Sequence, residues 1–324
     1  MADASIPVDL FNPGQVFACL GFLEAAEVLL GDAEGGFDWT DEADVRFHLR
    51  AAGGQNPFAA VLEFLAQAKP ERWAPIGYAD PPPKKGDTDA EEEDDVTDDG
   101  EADVDATLGD GNASLEFSET FPAARGECLA LPIRLGGRSS PTIELGHWAD
   151  GSSRETFKLY AGNRSADRIA RAMLLGVRKK PTKKQAIGSL KTKGVAQLWQ
   201  EQRDTMIKQP FDVLTPMGGS FNFDPRGAWT AIDAGYSPNK QKHQVAASPV
   251  VEFLAVWGLE NARPYEFETR KVRYSAWGLL LPPELSRVAL FGGVTELPQK
   301  FFRFELAMSG KNKVVSFAQQ ETQS

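Results

Sequence analysis

Cysteine and histidine are scarce in this chain of 324 residues. It contains two cysteines, Cys19 and Cys128, and three histidines, His48, His147 and His243. The cysteines lie in the apolar strings FACLGF and GECLAL without a CxxC pair, which favours buried thiols of a reducing compartment over a secreted disulfide framework. The histidines share no metal-ligand spacing, so the sequence predicts a structural or exposed role for each of them.

Common catalytic signatures are also missing. The strings GxxxxGK[ST], GxGxxG and GxSxG do not occur, which excludes the usual nucleotide-binding and α/β-hydrolase mechanisms. Asp224, Asp233 and Glu252 could gather around Mg²⁺ in a nuclease, but the first two read equally well as turn residues. We therefore expect no catalytic residue, no metal site and no cofactor, with a metal-dependent nuclease as an alternative.

Long hydrophobic runs do not stand out in the sequence. No apolar run approaches the roughly 18 residues needed to cross a bilayer, and the opening MADASIPVDLF lacks the pattern of a secretory signal. Hydrophobic residues make up 42% and charged residues 25% of the chain, which is typical of a soluble globular protein. We expect a cytoplasmic protein with no membrane partner.

The net charge of −11 argues against a nucleic-acid partner only until its distribution is considered. Residues 86–105 contain 12 acidic side chains and no basic one, and without them 35 basic residues face 34 acidic ones. Prolines and like-charge repulsion predict a disordered acidic insertion or linker over residues 81–112. It would separate an N-terminal α+β part, residues 1–80, from a C-terminal α+β part, residues 113–324.

Residues 154–193 carry the opposite charge, with 12 Lys or Arg against two acidic residues. In a helix predicted from Ala166 to Val177, Arg164, Arg168, Arg171 and Arg178 fall on one face when each residue turns by about 100°. The lysine-rich string RKKPTKK follows as a flexible segment. Arginines on a rigid element beside flexible lysines suit a phosphate backbone. The alternative is a solvated surface that pairs with the acidic insertion.

Aromatic residues flank this basic segment. Phe157, Tyr160 and Trp199 could stack on bases of a single strand, a contact worth roughly 1–3 kcal/mol per base. Most aromatic side chains in strands belong to the core, and that interpretation is favoured for Tyr160.

The order of elements predicts an α+β fold with antiparallel sheets and packed helices. Punctuated apolar segments predict helices at 13–30, 57–68, 166–177, 194–206 and 249–258. Strands are predicted at VRFHL, SLEFSETF, CLALPIRL, PTIELGHW, ETFKLY, SFNFDP, YEFETRKVRYSAWGLL, RVALFGG, FFRFELAM and KVVSFA, with SLEFSETF to ETFKLY forming an antiparallel meander.

Four strings between residues 10 and 264 carry a family resemblance. They are LFNPGQVFACLGFLEAAEVL, FKLYAGNRSADRIARAM, FNFDPRGAWTAIDAGYSPN and PVVEFLAVWGLENARP. They resemble a family of CRISPR-associated proteins encoded beside the interference genes of subtype I-U, also called I-G. The acidic insertion has no counterpart in this resemblance.

The resemblance implies a subunit of a Cascade-like effector complex, large-subunit-like or RAMP-type, without nuclease activity. Its partners would be CRISPR RNA, target DNA and the other subunits of the interference complex, with sequence read by base pairing. A protein-binding scaffold whose acidic loop mimics nucleic acid is the other alternative. The candidate nucleic-acid-binding residues are Lys158, Asn163, Arg164, Arg168, Arg171, Arg178, Lys179, Lys180, Lys183 and Lys184.

Overall fold

The computed structural model describes residues 1–75, 115–117, 131–136, 141–148, 157–160, 166–179, 188–217, 219–227, 245–294, 296–309 and 312–321. The predicted acidic insertion at 81–112 lies outside these residues. So do Cys128, Asp233 and His243.

Six helices are found in the described residues: α1 Pro13–Leu30, α2 Pro57–Gln67, α3 Ala166–Leu175, α4 Val195–Lys208, α5 Pro249–Gly258 and α6 Pro283–Leu290. The strands are β1 Ala2–Pro7, β2 Glu34–Asp38, β3 Arg46–Ala51, β4 Lys69–Pro75, β5 Leu115–Phe117, β6 Ile133–Gly136, β7 Ile143–Leu145, β8 Val177–Arg178, β9 Leu190–Thr192, β10 Thr215–Pro216, β11 Ala246–Ala247, β12 Tyr265–Glu268, β13 Lys271–Trp277, β14 Gln299–Ser309, β15 Asn312–Val315 and β16 Gln319–Gln320.

The described strands form three larger sheets and two small ladders. The sheet orders are β1-β3-β2, β5-β4-β6-β7 and β12-β13-β14-β15, with β16 also pairing β14, while β8-β9 and β10-β11 are two-stranded. All these pairings are antiparallel except that of β4 with β5. The predicted α+β class is confirmed. The predicted meander is wrong at its first strand, because β5, within SLEFSETF, pairs parallel with β4 and not with β6.

Helix punctuation confirms most of the helix predictions. The side chain of Asn12 accepts a hydrogen bond from the Gln15 N–H at the start of α1, and Gly31 ends that helix with φ of 79°. The Ser248 hydroxyl accepts from the Val251 N–H at the start of α5. Proline follows both N-terminal caps, Asn12 and Ser248, at a position where its missing N–H costs no intrahelical hydrogen bond.

Helix α1 lies at the centre of the fold. Its length and composition would allow it to cross a bilayer, but 78% of the helix is buried inside the protein. It packs against α5 at a close crossing, where a Cβ atom on Gly21 would lie 2.0 Å from the Leu254 carbonyl oxygen. Phe17 contacts the rings of Phe157, Phe223, Tyr274 and Phe304, so residues far apart in sequence share one hydrophobic core with α1.

The string RVALFGG was predicted as a strand and this is wrong. Its first four residues form the end of α6, which begins at Pro283 and buries Ser286, Ala289 and Leu290 at helical spacing. Gly292, with φ of 79°, lies two residues after the last residue of α6. The apolar run resembles a strand by itself, and the helix start lies upstream of it.

Two further predicted strands are absent from the described residues. In SFNFDP, Phe221 and Phe223 are buried alternately, but φ of 67° at Asn222 breaks the extended chain and Pro225–Gly227 forms a short 3₁₀ turn. In ETFKLY, the described residues 157–160 are irregular, and the Leu159 carbonyl accepts a hydrogen bond from the Lys313 N–H of β15.

Candidate nucleic-acid interface

The basic helix α3 is shorter than the sequence predicted. It ends at Leu175, and Gly176 turns the chain with φ of 72°, so Arg178 lies in strand β8 and not on the helix. Arg164 precedes the described helix and lies outside the described residues. The predicted four-arginine face is therefore wrong as a helical face.

Two of the predicted arginines do lie on α3. Arg168 is exposed, while Arg171 is half-buried and its Nε atom has no hydrogen-bond partner among the described residues. The opposite side buries Ile169 and Met173 in the core, as is typical of an amphipathic helix. Helix α3 thus holds two guanidinium groups on a rigid, buried base.

A basic hairpin follows the helix directly. The strands β8 and β9 pair antiparallel, with Val177 opposite Thr192 and Arg178 opposite Leu190. Arg178, Lys179, Lys191 and Lys193 are all exposed on this hairpin. Lys180, Lys183 and Lys184 belong to the connection between the two strands, which lies outside the described residues.

Most of the hairpin cations have no acidic partner in the described part of the chain. Lys193 pairs with Glu201 of α4. Arg178 donates through Nη1 to the Gly188 carbonyl at 3.3 Å, which holds its side chain along the hairpin. Lys179 and Lys191 form no ion pair with any described residue. Sequence reasoning omitted Lys191 from the site, although it lies within the same basic segment.

Two glycines hold the hairpin between α3 and α4. Gly176 follows the C-terminal end of α3 and has a positive φ. Gly194 caps the N-terminal end of α4, and its N–H donates a hydrogen bond of 2.8 Å to the side-chain oxygen of Gln197. Their backbones are in direct contact. Helix α3 also packs on α4, α5 and β4. The arginines of α3 and the cations of the hairpin therefore form one unit, which we call the basic helix-hairpin.

Lys158 lies on a different element from this unit. It belongs to the irregular segment 157–160 at the edge of β15, is half-buried, and places its Nζ atom 5.2 Å from the centre of the Tyr160 ring. Asn163, predicted beside it, lies outside the described residues. The structure thus brings Arg168, Arg171, Arg178 and Lys179 onto one unit and leaves Lys158 on another.

The aromatic residues that flank the basic segment are core residues. Phe157 is 2% exposed and Tyr160 is 6% exposed, which leaves little of either ring for a base. Trp199 is half-buried, packs against the core and carries the Arg203 guanidinium 4.9 Å from its ring centre. These rings therefore offer little exposed surface for base stacking.

The candidate carboxylates form a buried structural network. Both oxygens of Asp224 accept hydrogen bonds from Arg226, and its Oδ2 also accepts one from the Ser248 N–H at 3.0 Å. Glu252 accepts the N–H groups of Phe223 and Asp224 at 3.2 and 2.8 Å. Desolvation raises the pKa of Glu252 from 4.5 to about 7.

These contacts leave the Asp224 carboxylate saturated by protein donors. Among the residues that the structure describes, no group of three His, Cys, Asp or Glu side chains could hold a metal ion. The turn interpretation of Asp224 and Pro225 is confirmed by the 3₁₀ turn that follows. The buried Cys19 thiol and the buried His147 ring are likewise core groups, and burial raises the pKa of Cys19.

The chain matches no protein-family model, no curated protein and no solved structure. The CRISPR-associated resemblance consequently depends on the sequence strings alone.

Proposed function

We propose that this chain is a non-catalytic, cytoplasmic subunit of a CRISPR RNA-guided, DNA-targeting interference complex. The basic helix-hairpin would bind the phosphate backbone of guide RNA or target DNA. The observation that supports this proposal is the placement of Arg168, Arg171, Arg178, Lys179 and Lys191 on the basic helix-hairpin, with the last three free of ion pairs to described residues. The sequence resemblance supplies the assignment to an interference complex.

The chemistry of the basic helix-hairpin favours the backbone over the bases. Arginine presents paired N–H donors that match a phosphate, and lysine adds sequence-independent attraction. Arg168 and the hairpin cations Arg178, Lys179 and Lys191 are exposed, so their charged groups are accessible to a phosphate oxygen. No exposed aromatic ring belongs to the described residues of α3, β8 or β9.

Charge reversal tests the binding surface. Lys179→Glu/Lys191→Glu is compared with Lys208→Glu/Arg303→Glu, because all four side chains are exposed and both double variants change the net charge by the same amount. We expect the hairpin variant to lose at least about tenfold in affinity for single-stranded RNA and DNA. The slope of the logarithm of affinity against the logarithm of salt concentration should become less steep by the amount expected for roughly two lost phosphate contacts. Equal losses in both variants would contradict a localised site.

Co-purification tests the assignment to a complex. The chain is tagged and co-expressed with a CRISPR array and with the interference genes of the same locus. We expect CRISPR RNA and the neighbouring subunits to be recovered with the wild-type chain, and the RNA to be depleted by the hairpin variant. Recovery of the tagged chain alone would contradict the assignment, even if isolated RNA binds.

A further inference from the structure

Gln197 lies in the first turn of α4, three residues after the glycine that caps this helix. Its side-chain oxygen Oε1 accepts a hydrogen bond from the Gly194 N–H at 2.8 Å. A glutamine at the third helical position commonly reaches back to the N–H of the capping residue in this way. The side chain of Gln197 therefore holds the point at which the basic hairpin returns to the helices.

The same oxygen atom lies beside the other end of the hairpin. A Cβ atom on Gly176 would lie 2.8 Å from Oε1 of Gln197 and 2.6 Å from the Thr192 carbonyl oxygen. Gly176 turns the chain from α3 into β8 with φ of 72°, and because it has no side chain it leaves room for the Gln197 oxygen. One side-chain oxygen is thus placed against both glycines that flank the hairpin.

A second side chain of α4 contacts the same end of β9. Glu201 follows Gln197 by four residues, so the two side chains lie on one face of the helix. Glu201 pairs with Lys193, the residue immediately before Gly194. The side chains of this ion pair are 44% and 46% exposed, so the pair by itself contributes little. The partly buried hydrogen bond of Gln197 is the more consequential of the two contacts.

The position of the hairpin matters for a phosphate contact because its cations lie close to the two glycines. Arg178 and Lys179 come two and three residues after Gly176. Lys191 comes three residues before Gly194. Mobile side chains must be ordered when they bind, and a preorganised surface avoids much of that entropic cost. A residue that fixes both ends of the hairpin would therefore raise affinity without touching the nucleic acid.

We propose that Gln197 is a positioning residue of the nucleic-acid surface: its side-chain oxygen holds the two ends of the basic hairpin together and keeps the hairpin cations beside the arginines of α3. The effect on binding rests on the proposed function, whereas the effect on the hairpin does not. Each effect has its own measurement.

Amide exchange tests the effect on the hairpin without nucleic acid. The Lys179 N–H donates to the Ser189 carbonyl across the hairpin at 2.8 Å, and the buried Leu259 N–H donates to Ala255 of α5 at 3.0 Å. We expect Gln197→Ala to accelerate exchange at Lys179 by roughly fivefold and to leave Leu259 at the wild-type rate. Gln197→Glu retains a side-chain oxygen acceptor and should restore slow exchange at Lys179.

Gln200→Ala is the matched control, because Gln200 is an exposed glutamine on the same helix. It should leave exchange at both amides unchanged. Wild-type exchange at Lys179 in Gln197→Ala would overturn the proposal. Equal acceleration at Lys179 and Leu259 would also overturn it, because it would show a general loss of stability and not a local release of the hairpin.

Affinity for single-stranded RNA tests the effect on binding. We expect Gln197→Ala to lose about threefold to tenfold at physiological salt, and Gln200→Ala to stay within about twofold of the wild-type chain. The slope of affinity against salt should remain that of the wild-type chain in Gln197→Ala, since every cation is still present and reaches its phosphate once bound. Lys179→Glu/Lys191→Glu should instead make that slope less steep.

The failure of the positioning role and the failure of the proposed function give different results. RNA binding that depends on Lys179 and Lys191 but is unchanged in Gln197→Ala would contradict the positioning role alone. A less steep salt slope in Gln197→Ala would contradict it as well, because phosphate contacts would then have been lost. Absence of RNA binding by the wild-type chain would contradict the proposed function and, with it, the effect of Gln197 on binding.

Discussion

Gly176 and Gly194 meet at the base of the basic hairpin, where a Cβ atom on Gly194 would lie 2.4 Å from the backbone nitrogen of Gly176. The same Cβ would lie 2.7 Å from the Met173 carbonyl oxygen, so backbone atoms surround the position on two sides. Gly176 itself adopts φ of 72°, a conformation that side chains with a Cβ rarely take. This contact sets where the hairpin leaves helix α3.

We expect Gly194→Ala to lower the free energy of unfolding by roughly 1–3 kcal/mol, because the backbone around it must move. Urea denaturation measures the change. Gly54→Ala is the matched control, since no atom lies within 4 Å of its Cβ position, and it should be neutral within about 0.5 kcal/mol. Equal stability of the two variants would show that the hairpin base is not closely packed.

The crossing of α1 and α5 predicts a second glycine effect. A Cβ atom on Gly21 would lie 2.0 Å from the Leu254 carbonyl oxygen and would push the two helices apart. We expect Gly21→Ala to destabilise the protein by roughly 2 kcal/mol or more. Alanine favours helices over glycine by about 1 kcal/mol, so intrinsic propensity alone predicts the opposite sign. The sign of the change in thermal midpoint distinguishes the two effects.

Glu24 and Arg287 form a bidentate ion pair between α1 and α6, with Nη2 and Oε2 2.6 Å apart. The Glu24 side chain is only 7% exposed. We expect Arg287→Ala to cost roughly 3 kcal/mol, because it leaves a buried carboxylate without its partner. The double variant Glu24→Leu/Arg287→Met should recover most of that loss. A double variant no more stable than Arg287→Ala would contradict a penalty from the unpaired charge.

The raised pKa of the buried Glu252 side chain leads us to expect that the protein loses stability as pH rises. Desolvation raises its pKa from 4.5 to about 7, so the folded state holds a proton that the unfolded state has already released. The free energy of unfolding should therefore fall between about pH 4.5 and pH 7, by up to roughly 3 kcal/mol from this group.

Chemical denaturation at several pH values measures this dependence. Glu252→Gln removes the titration but also replaces one acceptor of the Phe223 and Asp224 N–H groups, so its absolute stability is lower. The informative quantity is the slope with pH, which should be flatter in Glu252→Gln than in the wild-type chain. A slope identical in both proteins would contradict an elevated pKa at Glu252.

Local signals in the sequence predicted most helices because their caps act over short distances. Asn12, Asn56 and Ser248 each accept a hydrogen bond from an N–H two or three residues ahead. The error at α6 has the same origin, since the start of that helix at Pro283 lies before the apolar run that resembled a strand. The unpredicted strand β2 contains Gly35 and Gly36, which have low strand propensity and pair with β3 in the folded chain.

Composition and order along the chain determined by themselves that the acidic and basic charges are separated, that most helices begin at their caps, and that the fold mixes helices with strands. These properties depend on neighbouring residues and are local. Only the tertiary structure decided that Arg178 leaves α3 for a hairpin, that β5 pairs parallel with β4, and that both nitrogens of His147 face carbonyls. Those outcomes depend on contacts between residues far apart in sequence, such as the approach of Gly194 to Gly176 and the packing of Phe223 on His147.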